Sequence, residues 1–198
     1  MKAHNEHKHW LQRVTDYLDE LSLHILELDE FYLKQISNNP ALQRFSRLLI
    51  LFTYFGDGYL WGLVGLYLIL FGSLTDQRIV LIGLAIAIVD IAAFRIVKMI
   101  VERPRPMFAL KRRKLKFRMV DAFAFPSGHA TMAFGLSYLI VFFYPNLWAP
   151  AGAYLASFII GLSRIFVMEH FPLDVLGGAL LGTLLSILLT PLFSGIVF

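Results

Sequence analysis

The sequence predicts an all-α protein: an integral membrane helical bundle of about five transmembrane helices, preceded by amphipathic N-terminal helices. Three observations carry this. The apolar residues, 58% of the 198, gather in runs close to bilayer-spanning length rather than in the stripes of a soluble core. Mean hydropathy is correspondingly high at +0.65. Polar connections separate the runs, and the first 54 residues have a different, mixed-charge character. There are no cysteines, which excludes disulfides and thiolate chemistry. No internal repeat or low-complexity segment is present, so residues 1–198 are read as a single membrane domain, with 1–54 as N-terminal helices and 57–193 as the transmembrane bundle.

In the N-terminal segment Trp10, Val14, Leu18, Leu21, Ile25 and Leu28 recur at helical spacing, while Arg13, Asp16, Asp19 and Glu20 fall elsewhere. The pattern fits an amphipathic helix lying on the membrane surface or on the bundle. The segment is too polar to supply the apolar core of a signal peptide. His4, His7 and His9 have the look of a metal cluster, but a solvated terminus is the simpler reading. Asn38-Asn39-Pro40 breaks the helix, and a second amphipathic piece covers 41–54.

The first expected span is 57–73, with Asp57 read as an N-cap near the membrane surface or as a group lining a site. The second is 79–100 and carries Asp90, Arg95 and Lys98. Charges at membrane depth are costly and face a cavity or a partner. Lys98 and Arg95 lie near the end and can snorkel, whereas Asp90 is expected to pair with a basic or hydroxyl group inside the bundle. Residues 101–125 form a loop holding eight Lys/Arg, from Arg103 to Arg118, with Pro104 and Pro106 stopping the helix. Spans at 127–144, 148–167 and 172–193 follow. Pro145-Asn146 makes a tight turn, and Gly177, Gly178 and Gly182 give the last span a small face for close packing. Pro191 and Gly195 are expected to end it.

Parity then places the end of span two, the start of span three, the end of span four and the start of span five on one membrane face. Each junction carries polar residues that a lipid-facing helix would not choose. Lys98 and Arg105, seven apart, share a face if the helix persists into the loop. Ser127 is a good N-cap, so Ser127-Gly128-His129 offers bare amides, a hydroxyl and an imidazole at a helix start, which suits an anion. His170 and Asp174 are four apart, so the carboxylate can hold one imidazole nitrogen and leave the other as a nucleophile. Arg164 adds a third cation. Three cations suit a multiply charged anion, and the arginine fork matches phosphate oxygens. Two histidines in different surroundings suit a nucleophile and an acid. Singly, each residue has an ordinary explanation, such as a snorkelling lysine or a helix-capping arginine. Their coincidence on one face does not.

These residues resemble a known pattern. Lys98 with Arg105-Pro106, then Pro126-Ser127-Gly128-His129, then Ser163-Arg164 with His170 and Asp174, are similar to the three-part signature of the type 2 phosphatidic acid phosphatase family. The signature is shared with glucose-6-phosphatases, acid phosphatases and vanadium haloperoxidases. The resemblance implies a lipid phosphate phosphatase in which His170 attacks phosphorus to form a phosphohistidine, Asp174 orients it and His129 protonates the leaving group. Lys98, Arg105, Ser127, Gly128 and Arg164 would hold the phosphoryl oxygens, with no metal and no cofactor. Membrane members of the family commonly have six spans, so here the first is absent or replaced by the amphipathic segments.

The resemblance fits several lipid classes: phosphatidic acid, phosphatidylglycerol phosphate, isoprenyl phosphates or diphosphates, and lipid A phosphate. The basic loop is read as facing anionic lipid rather than nucleic acid. In it Met107, Phe108, Leu115, Phe117 and Phe123 interleave with the cations, which suits a loop lying on lipid. The protein is expected in a bacterial inner membrane. Charge bias puts the site on the cytoplasmic face, since the opposite connections hold only Arg78, while family analogy puts it on the periplasmic face. A haloperoxidase, a lipid-binding scaffold and a transporter with Asp90 and Arg95 on its pathway are the competing classes.

Overall fold

A computed structural model describes residues 2–109 and 123–198, without the side chains of 2–11, Val14, Asp57 and Phe108. The expectations for His4, His7 and His9, for the Asp57 carboxylate and for most of the basic loop therefore lie outside the described residues.

The described residues are helical almost throughout. A long helix α1 (Lys2–Ser37) turns at Asn39, whose side chain takes the amides of Ala41 and Leu42, into a short α2 (Pro40–Arg44) and then α3 (Ser46–Tyr54). Chain continuity is kept through a widened π turn at Phe55–Tyr59, where Gly58 sits at φ 100°. That conformation is open to glycine and strained for other residues, so α4 (Leu60–Phe71) leaves α3 at a kink instead of beginning at Asp57 as the sequence suggests. Ser73 and Asp76 form a reciprocal capping box that starts α5 (Leu74–Val101) five residues earlier than expected. After the single turn α6 (Pro106–Ala109), three helices complete the bundle: α7 (Gly128–Phe143), α8 (Trp148–Phe166) and α9 (Pro172–Val197).

By length and composition α5, α8 and α9 can each cross a membrane, and α4 and α7 are shorter apolar helices. The protein is an all-helical integral membrane protein. Three long spans and two short apolar helices stand where five spans are expected. Helix α9 runs straight through Pro191 and Gly195, which do not end it. Proline removes one backbone donor, but in lipid no water competes for the rest of the helix, so breaking it would expose more polar backbone than continuing it.

The centre of the bundle is the α7–α9 contact. A Cβ on Gly178 would lie 2.4 Å from the Ser127 carbonyl oxygen, and one on Gly182 1.9 Å from that of Thr131. Only glycine lets the two backbones approach this closely, which the small face of the last span anticipates. On the other side of α7, Ile79, Ile82 and Ile86 of α5 pack on Leu136 and Leu139. Asp90 is fully buried beside them, and its carboxylate makes no hydrogen bond among the described residues. The expected partner is thus not engaged. Gly135 leaves room for the Asp90 carboxylate against α7, with the Ser186 hydroxyl nearby.

Among the described residues, helix α1 packs on the bundle through its C-terminal part. Leu33 is fully buried against Ile165 and Phe171, while Leu18, Leu21, Ile25 and Leu28 stay exposed.

Candidate active site

The polar residues of the four junctions meet at one end of the bundle. Helix α5 stops at Val101 because Glu102 takes a left-handed conformation, φ 48° and ψ 30°, before either proline is reached. Lys98 and Arg105 therefore do not share a helix face. They converge through a chain reversal. An antiparallel bridge between Pro104 and Phe123, with Ala124 N–H donating to the Arg103 carbonyl at 2.7 Å, clamps the two ends of the basic loop. Lys98 Nζ then donates to the Phe123 carbonyl at 2.7 Å, and the lysine is buried.

Ser127 caps α7 as its sequence position predicts. Its hydroxyl accepts from Ala130 N–H at 3.5 Å, and its own amide donates to the Asp174 carbonyl at 2.8 Å. That second bond ties the start of α7 to the start of α9. His129, half-buried, packs against Gly56 of the π turn, where a Cβ would come within 2.7 Å of the imidazole. Ser163 does not face the site: its hydroxyl donates to the Ile160 carbonyl and accepts from Thr53.

Arg105 and Arg164 converge on one oxygen. Arg105 Nη1 donates to Glu169 Oε2 at 2.7 Å, and Arg164 Nη2 donates to the same Glu169 oxygen. The Nε–H groups of both arginines are buried and make no hydrogen bond among the described residues. His170 follows directly, held by its N–H on the Arg164 carbonyl at 3.2 Å and almost wholly buried. Burial, then Arg164, Arg105, Lys98 and His129, hold its imidazole well below the ordinary histidine range. It is neutral at ordinary pH, as a nucleophile must be. Its Nδ1 lies 3.7 Å from Asp174 Oδ2, too far for a hydrogen bond. The expected dyad is adjacent but not closed.

The reason is that Asp174 has other partners. Its Oδ2 accepts from Phe171 N–H at 2.7 Å, capping α9, and its Oδ1 accepts from Arg103 Nη1 at 2.7 Å. Arg103 in turn donates to Asp29 of α1 at 2.6 Å, and Asp29 accepts from Leu173 N–H at 2.9 Å. Asp29, Arg103 and Glu169 were not legible as site residues. Glu169 and Arg103 had a signal, since a charged side chain one or two positions from a phosphate-site residue needs a partner once buried. Asp29 had none, being 145 residues from Asp174.

Three cations, two imidazoles and a helix start gathered at one end of a membrane bundle form a group suited to a multiply charged anion such as phosphate. The chain belongs to the PAP2 superfamily, whose family model matches residues 78–197. It is 41% identical over 64 residues to the bacitracin transport permease protein BcrC of Bacillus licheniformis, covering 31% of this chain and 29% of that one. It is 28% identical over 128 residues to the undecaprenyl-diphosphatase BcrC of Bacillus subtilis, covering 65% of each. The chain thus spans less than two thirds of these two relatives. An undecaprenyl-diphosphatase of Sulfolobus acidocaldarius is 24% identical over 157 residues, 78% of this chain and 73% of that protein. Among solved structures, LpxE of Aquifex aeolicus superposes with a TM-score of 0.66 at 28% identity, over 83% of this chain and 95% of that one. A PAP2-type phosphatidylglycerolphosphate phosphatase of Bacillus subtilis gives the same TM-score at 24% identity, over 87% and 88%.

Proposed function

We propose that the protein hydrolyses the phosphate or diphosphate group of a membrane lipid, with a polyprenyl diphosphate as the leading substrate. The observation that carries this is the convergence of Lys98, Arg105 and Arg164 on a buried, neutral His170. A neutral imidazole among fixed cations is matched to a phosphoryl group, whose charge the cations stabilise in the transition state. The undecaprenyl-diphosphatase relatives favour a polyprenyl diphosphate over the other lipids.

In this reading the phosphoryl group enters between the cations, and the His170 nitrogen remote from Asp174 attacks phosphorus. The bond to the leaving oxygen breaks, and His129 gives that oxygen a proton. Water then attacks the phosphohistidine, His129 takes its proton, and phosphate leaves with His170 regenerated. Asp174 steadies Nδ1 once the 3.7 Å gap closes. Ser127 and the Gly128 amide hold phosphoryl oxygens at the start of α7. The dianion needs charge, and the three cations supply it, so no metal is required.

An apolar cavity of about 420 Å³ between α4, α5 and α7 supports a lipid substrate. It begins at Gly58 and at Met132, one turn from His129, and runs along the bundle past Gly65 and Gly83 to Ile69 and Leu139. A chain lying there would leave its head group at the histidines. The charge bias of the loops favours a cytoplasmic site in a bacterial inner membrane, and the whole of residues 1–198 works as one unit, with α1 pinned to the site through Asp29.

The test is phosphate release by the detergent-purified protein from a panel of lipid phosphates and diphosphates with EDTA present, beside His170→Ala. Release from polyprenyl diphosphate that survives EDTA and is lost in the variant is expected. Equal release by the variant, or none from any lipid, would overturn the reading. A transport reading has the permease name of one relative behind it, and it predicts solute movement without hydrolysis.

A further inference from the structure

We infer that Glu169 takes the place of a phosphoryl oxygen on Arg105 and Arg164 and competes with phosphate for them, so that it sets how tightly substrate and product are held. The inference rests on the phosphatase reading above and adds a specificity-determining residue to it.

The geometry is specific. A single oxygen, Glu169 Oε2, accepts from Arg105 Nη1 at 2.7 Å and from Arg164 Nη2. The three side chains are only 4%, 5% and 4% exposed for Arg105, Arg164 and Glu169, so water does not screen the contact. One anionic oxygen shared by two guanidinium groups from different elements is also what a bound phosphate would provide. Glu169 is placed by its N–H on the Arg164 carbonyl at 3.1 Å, the same carbonyl that takes the His170 N–H. The stand-in oxygen is therefore fixed next to the nucleophile.

Charge explains why such a group is useful. Lys98, Arg105 and Arg164 bring three positive charges to His170, while Arg103 is bound by Asp29 and Asp174. Glu169 offsets one of those three charges at the two guanidinium groups that it bridges. A substrate must displace the Glu169 oxygen from the arginines, and the product phosphate is displaced by it in return. Without that competition the product would be held by three cations in a low-dielectric pocket, where charge is poorly screened, and its release would limit turnover.

The experiment measures orthophosphate binding by purified parent protein and by Glu169→Gln, read as the phosphate-dependent rise in melting temperature, with phosphate inhibition and KM followed in parallel. Glutamine keeps an oxygen for the arginines but not its charge. The variant is expected to bind phosphate about tenfold more tightly, with KM and kcat falling together. Equal or weaker binding in the variant would show that Glu169 only positions the arginines and would overturn the inference. A second measurement needs no variant: a structure of the parent protein with orthovanadate. Arg105 and Arg164 are expected to leave Glu169 for the anion, and retention of both contacts beside bound vanadate would overturn the competition. No phosphate binding by the parent would instead overturn the phosphatase reading itself, and the inference with it.

Discussion

Arg103 has one guanidinium and two buried carboxylates to satisfy, Asp29 and Asp174. Removing it leaves both carboxylates without their cation, the costly half of a broken ion pair. Arg103→Gln is expected to lower stability by about 3 kcal/mol and to lower kcat, with thermal melts and steady-state rates as the readouts. His170 gives a pH prediction whose sign follows from its depressed pKa. Below about pH 6.5 the unfolded chain takes up a proton at this position and the folded protein does not. Stability is therefore fully present above that pH and falls as the pH drops towards the folded value. Melting temperatures across pH should show this slope, and His170→Asn should flatten it. Lys98→Met should cost roughly 10²-fold in kcat/KM, by analogy with losing one fixed donor to a transition-state anion, which steady-state kinetics will check. At this scale the meeting of Lys98, Arg105, Ser127, His129, Arg164, His170 and Asp174 at one end of the bundle was legible, because parity puts their junctions on one face. Their partners were not, since hydrogen bonds such as Arg105 to Glu169 depend on a loop reversal that no periodicity encodes.

Helix packing carries the site, and its tightest point is α7 against α9. Gly182→Val would push side-chain atoms into the Thr131 carbonyl, where even a Cβ comes within 1.9 Å. The helices would separate at a cost of about 1–3 kcal/mol, and the Ser127–Asp174 backbone bond would stretch with them. Thermal unfolding in detergent should show the loss, and activity should fall further than the loss of folded protein explains. Apolar length revealed these elements, but their ends depended on local chemistry. The capping box at Ser73 moved one start, the left-handed Glu102 and not a proline set one end, and Pro191 failed to stop α9 because lipid does not reward a broken helix. Asp29 shows where reading from sequence runs out: a buried carboxylate on a largely exposed amphipathic helix becomes visible only once α1 is docked.

The whole molecule gathers Lys98, Arg105 and Arg164 around a buried His170 at one end of a membrane bundle, with an apolar cavity between α4, α5 and α7. The all-helical membrane class followed from hydropathy alone, and the common face from parity. Helix α1 is long enough to cross a bilayer but too polar, as its amphipathic pattern predicts, and it docks on the bundle through Asp29 and Leu33. The central claim is that His170 is the group phosphorylated during turnover. The most direct measurement is a rapid quench of the purified protein with labelled polyprenyl diphosphate, followed by peptide mapping. An alkali-stable, acid-labile phosphoryl group on the His170 peptide, absent from His170→Ala, is the expected result. Turnover at full rate with no label on that peptide at any quench time would contradict it.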